Sequence, residues 1–450
     1  MRGIFGKLGI AALAASVKSA LGQNIIAVGT TGGTRTSFTD SILLAESTDG
    51  GKTFNLPNIT GGLKYAGLDS VDCTADLCVG VGQNFTGLTL PLVVEKKNGG
   101  NWTVVPISFP VQDGRYYDVS CKASETFDIC VGVGSYYSGF DETPMLALVQ
   151  SVNGNWTIPT IPKVDGELLG VKCVKNSTDI DCFAAGNMLS NSGQMNATIL
   201  HSKNGGHWNI AYNAADYLGT GFSAIDCTEK TAPPFCVGIG FDTLVESEDG
   251  GVTWTQYSTP GLSNNPKVRC PNPETSACVI MGNEIIRTET PVIGQRVNGT
   301  WNWISPPLPD NSTSMYEGLD CIDDSKEELC VAVGGNFNGG DSIPLIAQWN
   351  GSWSFSSLDM PGVGLNTVSC GIDVDRTKQC IAGGYNSTTG LYAQSSPILI
   401  VMRKDGSWGV VPVPGVPSPG QYMASTVFYP DSRADVHSEK ATQAEVSLAA

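Results

Sequence analysis

The chain has 450 residues, a formal net charge of −17 and 15% charged residues. An acidic chain without Lys/Arg clusters opposes binding to nucleic acid or anionic lipid, whose phosphates need such clusters. Its 54 glycines and 25 prolines argue against long exposed helices and leave one large β-domain or several small ones.

Residues 1–22 combine Arg2 and Lys7 with the apolar run Leu8 to Val17 and the small-residue site Ala20-Leu21-Gly22. That is the pattern of a secretory signal peptide, too short to span a membrane comfortably. The mature chain is expected to start at Gln23, and no later stretch reads as a membrane span. A secreted protein, or one held at the cell surface by a partner, follows.

Fourteen cysteines in a chain with an export signal imply disulfides, and they fall into seven close pairs. The pairs are Cys73/Cys78, Cys121/Cys130, Cys173/Cys182, Cys227/Cys236, Cys270/Cys278, Cys321/Cys330 and Cys370/Cys380. Zinc wants clustered ligands at fixed short spacings, whereas these pairs recur about every 50 residues, so no metal and no cofactor is expected. Ten Asn-X-Ser/Thr sequons, at Asn58, Asn84, Asn101, Asn155, Asn176, Asn196, Asn298, Asn311, Asn350 and Asn386, point to a secretory glycoprotein.

The recurring cysteines mark an internal repeat of four segments. Segment A ends in the first cysteine of a pair. Segment B starts at the second, as in Cys78-Val79-Gly80-Val81-Gly82 and Cys236-Val237-Gly238-Ile239-Gly240. Each pair is expected to join the two ends of an A–B hairpin loop. Segment C is an apolar strand such as Leu90 to Val94 or Pro397 to Val401, leading into an Asn-Gly or Asp-Gly hairpin turn. Segment D opens with Phe54, Trp102, Trp156, Trp208, Trp254, Trp301, Trp353 or Trp408, spaced 46 to 55 residues apart.

That length fits one four-stranded antiparallel unit, and radial repetition of such units makes an all-β β-propeller. Ile25 to Gly29 is a segment B without its cysteine. Met423 to Tyr429 is a segment A without its own, with Ile25 and Tyr429 filling the vacated positions. Eight blades closed by pairing of the terminal strands are expected, with seven as the alternative. Residues 23–430 then form one propeller domain, and 431–450 a polar disordered tail. The cysteine-bearing A–B loops share one face with the C–D turns, and the B–C and D–A connections share the other.

Two of the C–D turns are longer than the rest. Ser47, Asp49, Gly51, Thr53 and Phe54, and again Ser247, Asp249, Gly251, Thr253 and Trp254, follow Ser-X-Asp-X-Gly-X-Thr-aromatic. This resembles the Asp box, or BNR repeat, of sialidases, sortilin-type receptors, xyloglucanases and photosystem-assembly propellers. The resemblance implies a sialidase-like or sortilin-like propeller with the box between the third and fourth strands of a blade. An Asp that bonds its own turn backbone is a folding device before it is a ligand group.

Sialidase-like hydrolysis would need three arginines for the substrate carboxylate, a Tyr–Glu pair and an acid/base residue. The chain holds nine arginines and lacks the stretch that usually carries the first of the three; Arg35, Arg115, Arg269 and Arg287 are the candidates. Three histidines and no spare thiol leave little for a Ser-His-Asp or Cys-His centre, so no catalytic residue is assigned. In the B–C loops, Phe85, Tyr137, Phe337 and Tyr385 could offer aromatic surfaces for a glycan or protein ligand. The expectation is a non-enzymatic recognition or adhesion module, with a glycoside hydrolase and a structural coat protein as alternatives. The oligomeric state stays open.

Overall fold

A computed structural model describes residues 24–31, 41–61, 63, 65–85, 89–107, 113–137, 144–162, 165–189, 194–214, 221–229, 233–272, 277–284, 290–306, 313–322, 328–338, 341–372, 377–387, 395–415 and 420–428. The expected signal segment and tail, with Arg35, Arg287 and Asn311, lie outside the described residues. Among the described residues no helix is long and apolar enough to cross a membrane.

The chain begins with β1 (Asn24–Thr31) and β2 (Ser41–Ser47). Blade I follows as β3 (Ile59–Thr60), β4 (Ala66–Cys73), β5 (Leu77–Phe85), β6 (Thr89–Lys97) and β7 (Trp102–Val104), with β3 parallel to β7 on its outer edge. Blade II is β8 (Asp113–Ala123), β9 (Asp128–Tyr137), β10 (Pro144–Val152) and β11 (Asn155–Thr157). Blade III is β12 (Gly166–Asn176), β13 (Asp179–Leu189), β14 (Met195–Lys203) and β15 (Asn209–Asn213). Blade IV is β16 (Phe222–Cys227), β17 (Cys236–Gly240), β18 (Thr243–Ser247) and β19 (Thr255–Ser258).

Blade V is β20 (Leu262–Asn272), β21 (Ala277–Glu284), β22 (Thr290–Val297) and β23 (Thr300–Ile304). Blade VI is β24 (Thr313–Ile322), β25 (Leu329–Asn338), β26 (Asp341–Trp349) and β27 (Trp353–Ser357). Blade VII is β28 (Val363–Ile372), β29 (Lys378–Asn386), β30 (Ser396–Met402) and β31 (Trp408–Val411). The last strand, β32 (Gly420–Phe428), pairs with β1, giving the sheet β2-β1-β32, and Asn55 adds a bridge to Glu46 where a fourth strand would lie. Seven four-stranded blades and this composite eighth sheet therefore make up the ring.

Eight apolar clusters hold the sheets together, each filling one interface between neighbours. Val79, Val81 and Val93 of blade I meet Tyr116, Val119 and Val149 of blade II. The same arrangement repeats through blades II to VII. Ile381, Leu399 and Val401 of blade VII pack on Ile25, Ala27 and Leu43 of the composite sheet. Ile26, Val28 and Leu44 on its other side pack on Leu68, Val71 and Val94 of blade I, which closes the circle and leaves no open sheet at either end. The segment D aromatic joins the interface with the preceding blade: buried Trp102 lies against the composite sheet and buried Trp208 against blade II.

All seven expected disulfides are formed: Cys73–Cys78, Cys121–Cys130, Cys173–Cys182, Cys227–Cys236, Cys270–Cys278, Cys321–Cys330 and Cys370–Cys380, with Cα–Cα separations of 4.0 to 4.1 Å. Each joins the first and second strands of one blade. As expected, the pairs sit at or next to the ends of the A–B hairpins: Cys73 ends β4, Cys227 ends β16 and Cys236 begins β17. Their sulfurs also face the core: Cys130, Cys278 and Cys380 are fully buried and Cys330 is 1% exposed. Cys121 sits opposite Cys130, Cys321 opposite Cys330 and Cys370 opposite Cys380, so both members point to the same side of the sheet. That side is an interface between blades: Cys130 packs with Tyr116 and Val119, Cys278 with Val268 and Ile280, Cys330 with Leu319 and Ala332, and Cys380 with Val368 and Ala382. These sulfurs are core atoms and present nothing to a ligand.

In the composite sheet the residue opposite Ile25 is Val427, where Tyr429 was expected. The ladder skips Met423, and Val427 stands four residues after that skip, the place a first cysteine takes in the other blades. The C–D turns do share an end with the disulfides. Asn98, Asn153 and Asn204 donate their backbone N–H to the A–B hairpins of their own blades, at Asp76, Asp128 and Ile180, over 2.7 to 2.9 Å.

Candidate functional site at the channel end opposite the disulfides

The innermost strands line the central channel, and nearly all share one irregularity. The ladder skips the residue four positions before the first cysteine: Asp69, Tyr117, Leu169, Ser223, Glu317 and Asn366. A bulge re-aims the side chain it carries. The segment B glycine explains how the bulge is accommodated. A Cβ at Gly134 would clash with the Arg115 carbonyl oxygen, at Gly186 with that of Glu167, and at Gly334 with that of Met315. The last residue of Cys-X-X-X-Gly is fixed by this close approach of two backbones.

Below the bulges, the residue just before the first cysteine reaches to the next blade in blades I to VI, while Ser369 of blade VII has no hydrogen-bond partner for its Oγ. Asp72 Oδ2 accepts from Cys121 N–H at 2.7 Å, Ser120 Oγ from Cys173 N–H at 3.1 Å, Asp226 Oδ2 from Cys270 N–H at 2.7 Å and Asp320 Oδ2 from Cys370 N–H at 2.8 Å. Where a cation holds that position it pairs with the next carboxylate, Lys172 with Asp226 at 2.7 Å and Arg269 with Asp320 at 2.9 Å. Burial alone would depress Lys172, but Asp226 and Glu229 outweigh it and raise its pKa.

Lys122 of blade II crosses to Glu229, between β16 and β17 of blade IV, at 2.6 Å. Asp118 accepts from Ser70 Oγ at 2.9 Å and from Val171 N–H at 3.0 Å. Beside it, burial pushes Lys267 down to about 8 against the opposing pull of Asp118 and Glu317. A cavity of about 30 Å³ remains among Asp118, Ser120, Lys172, Lys267 and Arg269. The middle of the channel is a crosslinked charge layer.

The other end, where the B–C and D–A connections lie, is built differently. Asp69 of blade I is 6% exposed and its Oδ2 has no hydrogen-bond partner. Arg115 of blade II has a buried Nε without a partner, and its guanidinium carbon lies 4.3 Å from the Tyr117 ring centre. The Tyr117 hydroxyl is 2.9 Å from Ser135 Oγ. On blade III, Asn187 donates to Glu167 at 3.2 Å and leaves its own buried Oδ1 unpartnered. Burial pushes Asp69 up to about 6, opposed by Arg115, and raises Tyr117 and Tyr137 above the usual phenol value.

Further round, Asn283 Nδ2, Ser314 Oγ and Asn336 Oδ1 are also buried without partners. Ser151 Oγ, Ser369 Oγ and Gln379 Oε1 toward the disulfide end are unpartnered too, so what sets the B–C end apart is that charged groups, Asp69 and Arg115, are among its unpaired atoms, at a cost of about 1 to 3 kcal/mol each.

Of the aromatic residues expected to bind, Phe85 and Tyr137 end their strands half-buried. Tyr137 joins the electrostatic group of Arg115, Glu167 and Asp113. Tyr385 is 6% exposed, and its ring lies where a Cβ on Gly364 would sit. Phe337 pairs through its backbone with Thr313 and Ser342, and its side chain lies outside the described residues. Of the candidate arginines, Arg115 is at this mouth and Arg269 is committed to Asp320.

Asp69, Tyr117, Glu167 and Asn187 escaped the sequence reading. Their signal is positional, four or six residues before a first cysteine or five after a second. Among the described residues no group of three or more His, Cys, Asp or Glu is arranged to hold a metal ion.

The two long turns carry their own bonds. Ser47 Oγ and Ser247 Oγ donate to Asp49 and Asp249 Oδ1 at 2.8 and 2.9 Å, and accept from Gly51 and Gly251 N–H at 2.8 and 2.7 Å. Thr53 and Thr253 donate hydroxyl and backbone N–H to the same carboxylates. The Thr253 bonds hold the Asp249 carboxyl below its usual value.

No protein-family model matches the chain, and no curated protein matches it. Among solved structures it is similar to YCF48 bound to a D1 peptide, at 16% identity over 70% of this chain and 90% of that one, with a TM-score of 0.40. It is also similar to the six-bladed fucose-recognising lectin of Aleuria aurantia, at 12% identity over 67% and 96%, TM-score 0.36. The NanB sialidase of Streptococcus pneumoniae aligns at 8% identity over 88% of each chain, TM-score 0.34.

Proposed function

We propose that this chain is a secreted, non-enzymatic recognition module that takes a polar ligand, a glycan or a segment of protein, at the end of its channel opposite the disulfides. One observation carries the reading: Asp69 Oδ2 and Arg115 Nε lie buried in adjacent blades, each without a hydrogen-bond partner. A ligand with a hydroxyl or amide donor and a neighbouring acceptor would satisfy both, with Tyr117 and Tyr137 as its aromatic wall and Phe85 at the rim.

The seven disulfides suit an oxidising compartment. The sequons favour the same end for the ligand. Asn101, Asn155, Asn298 and Asn350 are exposed on the C–D turns at the disulfide end. Toward the opposite end, Asn84, Asn196 and Asn386 each have a buried Oδ1. Glycans on the exposed set would shield one face and leave the mouth free.

We read the two long turns as Asp boxes that serve the blades rather than the ligand. The hydrolase alternative draws on Asp69, whose pKa of about 6 suits an acid/base. Against it, burial raises the Tyr117 phenol, the opposite of what a nucleophile needs.

Glycan and peptide arrays probed with the purified protein test the proposal. Binding that weakens at least roughly tenfold in Arg115→Leu, the loss of about 1.4 kcal/mol, supports it. Silence on both arrays together with turnover of any glycoside would sink it.

A further inference from the structure

On the outer edge of blades IV and V lies a cleft of about 310 Å³, walled by Tyr257, Ser258, Gly299, Thr300, Trp301 and Trp303. Two of those residues, Gly299 and Thr300, belong to the sequon Asn298-Gly299-Thr300. Asn298 is exposed at the tip of a two-residue hairpin, with φ of 51° followed by 77° at Gly299. The modification acceptor and an aromatic cleft are therefore parts of one hairpin.

We infer that this cleft seats the first N-acetylglucosamine of a glycan carried on Asn298. The aromatic walls are held in place before any sugar arrives. Trp301 donates its indole N–H to Glu246 at 2.6 Å, and the Arg296 guanidinium fixes that carboxylate at 2.8 Å. Trp303 stacks on Trp301 with ring centres 6.1 Å apart and planes 23° from parallel. Its ring lies over Gly294, where a Cβ would come within 2.6 Å of it. Rigid ring faces with Ser258 and Thr300 hydroxyls beside them suit a sugar, which offers an apolar C–H face edged by hydroxyls.

Attachment is a group transfer during export, and the inference rests on that part of the proposed function. Asn298 Nδ2 forms a bond to sugar C1, while the bond from C1 to the pyrophosphate oxygen of a polyprenyl-linked oligosaccharide donor breaks. One amide proton passes to a base of the transferase, and the polyprenyl pyrophosphate leaves.

A built-in reference exists at Asn101, another exposed sequon on a C–D turn. Its neighbour Trp102 is 1% exposed, inside the interface with the composite sheet, and offers no ring face to a sugar. The test is hydroxyl-radical footprinting of the intact protein secreted from an N-glycosylating eukaryotic host, read by peptide mass spectrometry. Removing the sequon with Asn298→Gln, or separately with Thr300→Ala, should raise oxidation of the Trp301–Trp303 peptide roughly threefold as a ring face is uncovered. Asn101→Gln should leave the Trp102 peptide unchanged. Trimming the glycans to a single N-acetylglucosamine should preserve the Trp301–Trp303 protection. Equal oxidation with and without the sugar would overturn the inference. So would an empty Asn298 in protein whose Asn101 is occupied, a result that leaves secretion and the proposed ligand site standing.

Discussion

The two ends of the ring are made from the same strands and differ in how their polar groups are settled. At the disulfide end and in the middle, nearly every charge reaches a neighbour: Asp72, Asp226 and Asp320 each accept a backbone N–H from the next blade. At the opposite end, Asp69, Arg115, Asn187, Asn283 and Asn336 hold buried atoms with no partner. The first arrangement fastens blade to blade. The second withholds the same kind of bond from the fold, which is what a preformed polar site requires.

The largest effect should come from loosening the fastened end. Asp226→Ala removes the acceptor of Cys270 N–H and the partner of Lys172 together. We expect a loss of about 3 to 5 kcal/mol in urea denaturation, the cost of stranding a buried charge. A loss below about 1 kcal/mol would mean that the charge layer is not what joins blades IV and V.

The opposite sign is expected at the mouth. Asp69 has a folded pKa of about 6, above the usual 3.8. The folded state therefore holds its proton more tightly than the unfolded state, and stability falls as pH rises from about 4 to about 6. Asp69→Asn should remove that slope and stabilise the protein at pH 7 by up to about 3 kcal/mol, while weakening ligand binding. Thermal melts from pH 4 to pH 7 check it, and a slope unchanged in the variant would refute it.

Replacing Cys173 and Cys182 by alanine should cost about 2 to 3 kcal/mol, the chain-entropy value for a short loop, measured by denaturation of the double variant. Asp249→Ala, which deletes the acceptor of the Thr253 bonds, should cost about 1 to 2 kcal/mol. Neither change should alter ligand binding, because both lie at the end away from the mouth. An altered affinity in either would join the two ends and break the contrast.

Fold and blade order were legible because their marks are local. A cysteine pair closes one hairpin, and Asn98-Gly99, Asn153-Gly154 or Asn298-Gly299 turns another, each within a few residues. Spacing says which cysteines pair but not which way they face, so the burial of Cys130, Cys278, Cys330 and Cys380 between blades emerged only from the packing of whole sheets. The mouth was not legible, because it is assembled from three blades and depends on a bulge. A one-residue skip at Tyr117 or Asp69 decides which side chain enters the channel, and its only mark in the sequence is a distance of four residues from a cysteine, which says nothing until the ladder is seen.

The partner of Ile25 was misplaced because no cysteine marks the register of the last strand: Val427, four residues after the skipped Met423, takes the position assigned to Tyr429. Tyr385 was singled out as an aromatic in a loop, yet Gly364 gives its ring a seat across the innermost strand.

The composite sheet also fixes an orientation. Asn24 and Phe428 lie side by side at the disulfide end of their strands. A tether fused directly to either residue would therefore be attached at the end opposite the proposed ligand site and would leave that site facing away from the anchor.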